Sequence, residues 1–263
     1  MTTRLPLRSL ARPPETVARR LRALVALSEP ELALLRGLAD RRERHFPGDQ
    51  LISEGAVNAR PRFILSGWAC RQRTLSDGRR QIFSFLLPGD GLSIGVRAQP
   101  EASAVVALTT LETADARRVL EAAQSGRAPG LAFALTRLAP QEQTLLLDHV
   151  VRLGRQTAYE RAAHFLLELQ RRLKIVGLGD DQRFPLPLTQ EVMGDALGLS
   201  IVHVNRTLQQ LRRDGLIELR SGIAILLQPE RLADIADARP RRRAAPARAA
   251  SAARDGLGDP APA

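Results

Sequence analysis

Residues 188–211 read LTQEVMGDALGLSIVHVNRTLQQL, and this stretch decides the fold. Thr189 is a natural helix N-cap, because its hydroxyl accepts a backbone N–H left free at a helix start. The spacing predicts a short helix from Gln190 to Leu197, with Val192, Met193 and Leu197 turned inward. Gly198 stands where that helix must stop and the backbone must turn left-handed. Leu199 plugs the corner, and Ser200 caps a second helix on which Val204, Leu208 and Leu211 share one side. His203, Asn205, Arg206, Gln209, Gln210, Arg212 and Arg213 are left on the other.

This is the pattern of a helix-turn-helix, whose second helix enters the DNA major groove by its N-terminal end. An ordinary helical hairpin with a polar solvent face shares it. The residues that follow favour the first reading. Asp214-Gly215 is a turn signal, and residues 216–220 and 223–227 flank Ser221-Gly222 as two short strands. Helix, turn, helix and hairpin together predict a winged helix-turn-helix that binds DNA.

The chain has 263 residues, enough for two domains with cores of their own. Its formal charge of +11, from 39 Lys+Arg against 28 Asp+Glu, favours a polyanionic partner. A coding bias toward arginine and alanine would produce the same balance. A single cysteine, Cys70, excludes an intramolecular disulfide, and it cannot furnish the thiolates of an iron–sulfur cluster or structural zinc. Arginine and proline interrupt residues 1–22, unlike a signal peptide, and no stretch is long and apolar enough to span a bilayer. The expectation is a cytoplasmic protein with no membrane partner.

Residues 1–27 read as a basic extension, with a short helical stretch from Thr16 to Leu27 that lacks a strong apolar stripe. Ser28-Glu29-Pro30-Glu31 is a capping box, opening a helix with Leu32, Leu35 and Leu38 buried and an end near Asp40. From Arg44 to about Arg118 the pattern becomes short strands and tight turns. Phe46-Pro47-Gly48-Asp49 and Leu87-Pro88-Gly89-Asp90 repeat one turn, which reads as a structural corner rather than a site. Ser66-Gly67 and Asp77-Gly78 mark hairpins between the strands. A jelly-roll or small barrel is predicted over residues 28–128.

Residues 129–155 are helical and apolar. Leu131, Leu135, Leu138, Leu145 and His149 follow spacings of four, three, seven and four, a heptad-like stripe that predicts a dimer interface. His149 reads as a packed interface residue rather than a ligand. Pro140 predicts a kink, or a helix that begins properly at Gln141. Thr157-Ala158-Tyr159-Glu160 is a second capping box, with Ala162, Phe165, Leu166 and Leu169 inward. Residues 177–187 read as a loop into the helix-turn-helix, and residues 156–237 as the DNA-binding domain. Residues 238–263 lack apolar periodicity and read as a disordered basic tail. Their Arg239 and Arg241 to Arg243 either add non-specific phosphate contacts or are simply solvated.

Three stretches, FILSGWACRQRTLSDGRRQIFSFLLPGD, VRLGRQTAYERAAHFLLEL and LPLTQEVMGDALGLSIVHVNRTLQQLRRDGLIEL, resemble the Crp/Fnr transcription regulators, in their order along the chain. The resemblance covers about residues 28–228, and is nearest to members with HVNRTL in the recognition helix. It implies an α+β fold: an N-terminal β jelly-roll sensor domain like those that bind cyclic nucleotides, a long dimerisation helix and a C-terminal winged helix-turn-helix. It implies a homodimer on a palindromic double-stranded DNA operator, with RNA polymerase as protein partner. The family's base-reading positions fall on Ile201, Val202 and Arg206, with His203 and Asn205 as further candidates. Arginine can bond guanine O6 and N7 together, whereas Ile201 and Val202 can only touch thymine methyls, so neither the Crp nor the Fnr site is assumed. Thr189, Gln190, Ser200, Gln209, Arg220 and Ser221 are the expected contacts to the DNA backbone.

The sensor half departs from the cyclic-AMP-binding members. Ile94 lies near their glutamate position and Ala102 near their arginine position, while Arg97 is wrongly spaced to substitute. The polar pair that touches adenine falls on Leu146 and Leu147. Cyclic AMP is therefore not expected, nor any cofactor: the cluster fails on cysteine count, and His45 is the only histidine in the barrel for a haem. Cys70, mid-strand, reads as a small core hydrophobe rather than a redox switch. The effector is either unknown or absent.

A metal oxygenase would also use a jelly-roll, but His45, His149, His164 and His203 fall in separate elements, and no nucleophile elbow or phosphate loop occurs. No catalytic or metal-ligating residue is assigned. The other alternative is a ligand-sensing regulatory module that acts through protein contacts, its winged domain purely structural.

Overall fold

The structure is a computed structural model, which describes residues 15–57, 59–94 and 100–237. The basic tail and Arg97 lie outside the described residues. Among the described residues, eight strands build the N-terminal roll: β1 (Arg42–His45), β2 (Gln50–Ile52), β3 (Arg62–Ser66), β4 (Ala69–Thr74), β5 (Arg80–Leu86), β6 (Gly91–Leu92), β7 (Ala104–Ala107) and β8 (Leu111–Asp115). They make two four-stranded sheets, in the orders β1-β8-β3-β6 and β2-β7-β4-β5. All pairs are antiparallel. This is the expected double-sheet roll.

Alternation along each strand decides what covers each face. Ile64, Ala69, Leu86, Leu92, Val105 and Leu111 fill the space between the sheets. Phe63 and Leu65, the neighbours of Ile64, point outward into a second cluster. The two Pro-Gly-Asp corners are the same turn in atomic detail. The Asp49 carboxylate accepts the Phe46 N–H at 2.7 Å, and that of Asp90 accepts the Leu87 N–H at 2.8 Å.

Helix α1 (Glu15–Arg22) buries Val17 and Leu21, and α2 (Glu29–Arg36) buries Leu35, with Leu38 buried in the single 3-10 turn that follows. All four pack with Phe63 and Leu65. The N-terminal segment is therefore part of the core from Glu15 onward, not an extension. Val17 and Leu21 carry its packing with Leu24 at the next turn, Ala18, Val25 and Leu27 partly buried beside them, and Thr16 and Arg20 buried too, an apolar stripe that the sequence reading passed over. Helix α3 (Arg117–Gln124) precedes α4 (Pro129–Arg155), which runs unbroken through Pro140. A start at Gln141 is thus corrected. The Thr144 hydroxyl donates to the Pro140 carbonyl at 2.9 Å.

The dimer stripe needs the larger correction. Leu131 and Leu138 are buried within the same chain, packed with Val17, Leu21 and Leu35, and Leu135 lies partly buried against them. Leu145 and His149 lie over β5, beside Phe83 and Phe85. Periodicity shows that a helix has an apolar stripe, but not whose surface covers it. The side of α4 left open carries Phe133, Leu147, Val150 and Val151, exposed by 45%, 58%, 59% and 47%.

The C-terminal half comprises α5 (Ala158–Ile175), β9 (Arg183–Pro185), α6 (Gln190–Leu197), α7 (Ile201–Arg213), β10 (Ile217–Arg220), β11 (Ile223–Leu226) and α8 (Pro229–Ile235). The expected loop at residues 177–187 contains β9, which pairs with β11 and extends the wing to three strands in the order β10-β11-β9. The two halves share one apolar cluster. Trp68, Cys70, Ile82 and Phe85 of the roll pack with Phe165, Leu169 and Ala196, and the Phe85 and Phe165 ring centroids lie 5.4 Å apart. Each buried Phe, Leu or Ile among them stabilises the arrangement by about 1.5–3 kcal/mol.

Candidate nucleic-acid interface

The helix-turn-helix is built by local chemistry. Thr189 Oγ1 accepts the Val192 N–H at 3.2 Å, and Ser200 Oγ accepts the His203 N–H at 3.2 Å. Gly198 adopts φ 64°, the left-handed end that only glycine reaches without strain. Gly194 is a requirement the sequence reading missed. A Cβ there would lie 2.6 Å from the Leu199 carbonyl oxygen, so the second helix can close onto the first only across a glycine. A glycine inside a helix four residues before the turn was the available signal.

Helix α7 buries Val204, Thr207, Leu208 and Leu211. Ile201 and Val202 stand 51% and 69% exposed, and His203, Asn205, Arg206 and Gln209 are exposed with them. The proposed base-reading set therefore shares one outward face. Asn205 Nδ2 donates to Gln190 Oε1 at 3.2 Å, which joins a base-reading candidate to a backbone candidate. Thr189 and Ser200 use their oxygens as caps and keep the hydroxyl hydrogen for an acceptor such as phosphate.

The wing turns through Ser221 at φ 49° and Gly222 at φ 74°, the double left-handed geometry of a two-residue hairpin. Arg220 is exposed, with its Nε 3.2 Å from Glu218. Arg212 Nη2 donates to the Leu219 carbonyl at 3.0 Å, fixing the wing to the last turn of α7. Behind the helix, Tyr159 donates to Asp214 at 2.5 Å, and Gln210 donates to the same carboxylate at 2.8 Å. Burial and this bond to Asp214 push the Tyr159 hydroxyl up to about 12. On α6, Asp195 accepts from Arg80 of β5 at 2.5 Å, an ion pair that ties the helix-turn-helix to the roll.

In the sensor half a cavity of about 480 Å³ lies between β5 and α4, walled by Phe83, Phe85, Leu138 and Leu145. Ala102 and Leu146 line it, whereas Leu147 stands on the open side of α4 and Ile94 packs against the α1–α2 cluster. The cavity's arginines face acids or carbonyls of the same chain, although Arg20 Nε makes no hydrogen bond among the described residues. Arg71 lies 3.7 Å from Glu101, and Arg73 donates to the Ala102 carbonyl at 2.5 Å. Arg172 donates to Asp90 at 2.6 Å and Arg20 lies 3.5 Å from it. Arg172 is also 3.3 Å from Glu168, which pairs with the buried Arg152 of α4. This ionic chain joins α1, the roll, α5 and α4, and its long sequence separations hid it from sequence reading. Cys70 is fully buried, and burial raises its thiol to about 12. Among the described residues, no group of three His, Cys, Asp or Glu side chains is placed to hold a metal ion, and no helix is long and apolar enough to cross a membrane.

Residues 160–235 match the pattern of the Crp-like helix-turn-helix domain. The nitrogen fixation regulation protein FixK of Bradyrhizobium diazoefficiens is 35% identical over 202 residues, covering 75% of this chain and 83% of that protein. Among solved structures, FixK2 from Bradyrhizobium japonicum is 29% identical with a TM-score of 0.63, over 74% of this chain and 96% of that one. A CooA mutant from Carboxydothermus hydrogenoformans, 18% identical, shares the fold with a TM-score of 0.59 over 80% of this chain and 98% of its own. The fold of sheet roll, long helix and winged helix-turn-helix is that of these solved structures over the parts that match, and the chain belongs to the Crp/Fnr family of transcription regulators.

Proposed function

We propose that this regulator binds a two-fold-symmetric DNA operator as a homodimer, without cyclic AMP, and acts on transcription through RNA polymerase. Its HVNRTL recognition helix groups it with the regulators that share that sequence. The observation that carries the reading is the outward face of α7, where Ile201, Val202, His203, Asn205 and Arg206 stand exposed beside a capped N-terminus. Arg206 is the reader of guanine, Ile201 and Val202 meet thymine methyls, and Thr189, Gln190, Ser200, Gln209, Arg220 and Ser221 hold the phosphates. Binding to an operator sets its work in the cytoplasm, and regulation rather than catalysis is its role.

The partner copy fits the open side of α4. Phe133, Arg137, Pro140, Thr144, Leu147, Val151 and Gly154 alternate at spacings of four and three, and all are exposed. That is the spacing of a helix-on-helix contact, with Phe133, Leu147 and Val151 as its apolar members. Cyclic AMP independence is supported by Ala102, which offers no guanidinium where the phosphate would sit, and by the prior engagement of the neighbouring arginines.

Selection of bound fragments from random duplex DNA, with and without cyclic AMP, tests the whole reading. Enrichment of one palindrome in both conditions supports it. Enrichment only with the nucleotide defeats the independence, and enrichment of none defeats the operator.

A further inference from the structure

One guanidinium holds three backbone carbonyls that belong to three different segments. Arg161, in the first turn of α5, donates from Nε to the Gln156 carbonyl at 2.8 Å, from Nη2 to the Leu153 carbonyl at 2.8 Å, and from Nη1 to the Leu197 carbonyl at 2.9 Å. Leu153 O belongs to the last turn of α4, Gln156 O to the α4–α5 junction and Leu197 O to the end of α6. Helix C-termini leave carbonyls without intrahelical donors and carry the negative end of the helix dipole. Two such ends converge here on one cation. The planar fork of arginine can serve three acceptors in fixed directions, which a single lysine ammonium cannot do in the same geometry.

The surroundings make the junction stiff. A Cβ at Gly198 would lie 3.3 Å from Leu153 Cδ2 and 3.6 Å from Arg161 Nη1, so the turn of the helix-turn-helix sits directly against the end of α4. The Gln156 side chain donates to the Ala236 carbonyl at 2.8 Å and meets His164 Nδ1 at 3.3 Å. Leu197 lies four residues before Ile201, where the recognition helix begins. Moving α7 relative to α4 therefore means breaking the Arg161 bonds.

We infer that Arg161 is the positioning residue that sets which half-site spacing the regulator accepts. The inference rests on the proposed function, in which α4 lies along the dimer axis and each α7 reads one half-site. The two recognition helices are then held at a fixed separation and rotation by two copies of this junction. One added base pair displaces a half-site by about 3.4 Å and rotates it by about 34°, a mismatch that a stiff junction resists and a loose one absorbs. Arg161 touches no base, so its loss changes tolerance for spacing and leaves sequence preference within each half-site alone.

The test measures binding of full-length wild type, Arg161→Gln and Arg161→Lys to the selected operator and to versions one base pair longer and shorter. Dimer mass and thermal melting are recorded alongside. The expected result for Arg161→Gln is a fall of about tenfold in the ratio between native and altered spacings, the size of one lost charge-assisted hydrogen bond. Arg161→Lys should fall between, and base preference in each half-site should match wild type. Wild-type spacing ratios in both folded variants overturn the inference. So does equal weakening on every spacing with a lowered melting point, which would make Arg161 a folding residue only. If wild type selects no palindrome, the proposed function fails and this inference with it; if wild type selects one and the variants keep its spacing ratio, this inference fails alone.

Discussion

Glu31, in the first turn of α2, accepts the backbone N–H of Leu131 at 3.0 Å across one hundred residues of sequence. The same carboxylate accepts the Ser28 N–H and hydroxyl, both at 2.8 Å. One side chain thus serves the N-termini of α2 and α4, and a Cβ at Gly130 would lie 2.8 Å from it.

Burial alone would raise the Glu31 carboxyl, but the bonds from Ser28, Leu131 and Gly130 outweigh it and hold the group below the ordinary value of 4.5. The unfolded chain then takes up this proton first as pH falls. Its stabilisation is full above pH 4.5 and is lost as pH drops through the lowered folded value. Glu31→Gln should destabilise by about 1–2 kcal/mol at pH 7, and flatten the acid side of the stability curve. Urea midpoints between pH 3 and pH 7 check both, at roughly half-unit steps.

His149 is buried, and its imidazole is lowered to about 4, first by burial and then by Arg152, against the attraction of Glu168. The unfolded histidine protonates near 6.5, so stability falls as pH is lowered from there toward 4. The full loss is about 3 kcal/mol. Its Nε2 has no hydrogen-bond partner among the described residues, so His149→Leu leaves no orphaned group there. The variant should match wild type near pH 7 and exceed it at about pH 5 in chemical denaturation. A wild-type slope in the variant would refute this.

Arg172 and Asp90 form the centre of the buried ionic chain. Removing one partner leaves the other with its longer contact alone, Asp90 with Arg20 at 3.5 Å or Arg172 with Glu168 at 3.3 Å, so the cost lies at or below the about 3–5 kcal/mol of a fully broken buried pair. Arg172→Met and Asp90→Asn singly should each lower the denaturation midpoint strongly. The double variant should regain a large part of the loss, and a double-mutant cycle measures the coupling.

The two sides of α4 should respond differently. Leu147→Glu, on the open seam, should convert the dimer to monomer by light scattering while leaving the melting of the isolated chain nearly unchanged. Leu131→Ala, in the buried cluster, should cost about 2–5 kcal/mol of stability and leave the association constant alone. Dimer loss in the second variant and not in the first would reverse the assignment.

Arg206→Ala should relax selectivity at one guanine in each half-site by about 1–3 kcal/mol, read as the ratio of affinities for cognate and substituted operators. Affinity for random duplex should change little.

The C-terminal half was legible because its signals are local. Thr189, Gly198, Ser200 and Ser221-Gly222 each act on backbone within a few residues, so their chemistry is written beside the structure it makes. The sheet roll was legible for the same reason, through Pro-Gly-Asp corners whose aspartates accept N–H groups three residues back. What was missed depends on distant partners. Leu131 and Leu138 have the spacing of an interface, but Val17, Leu21 and Phe63 cover them. Strand β9 is three residues ending in proline, and only pairing with β11 makes it a strand. Asp90 reads as a turn residue, yet it also receives Arg172 from 82 positions away.

Cys70 lies fully buried in strand β4, its thiol held far from ionisation at neutral pH. Maleimides and disulfide reagents attack thiolates, and this one is both shielded and protonated. The native chain is therefore silent toward such labels without any substitution. A cysteine introduced at Val202 would carry a fluorophore or spin label alone, so the distance between two recognition helices becomes directly readable in the otherwise unaltered protein.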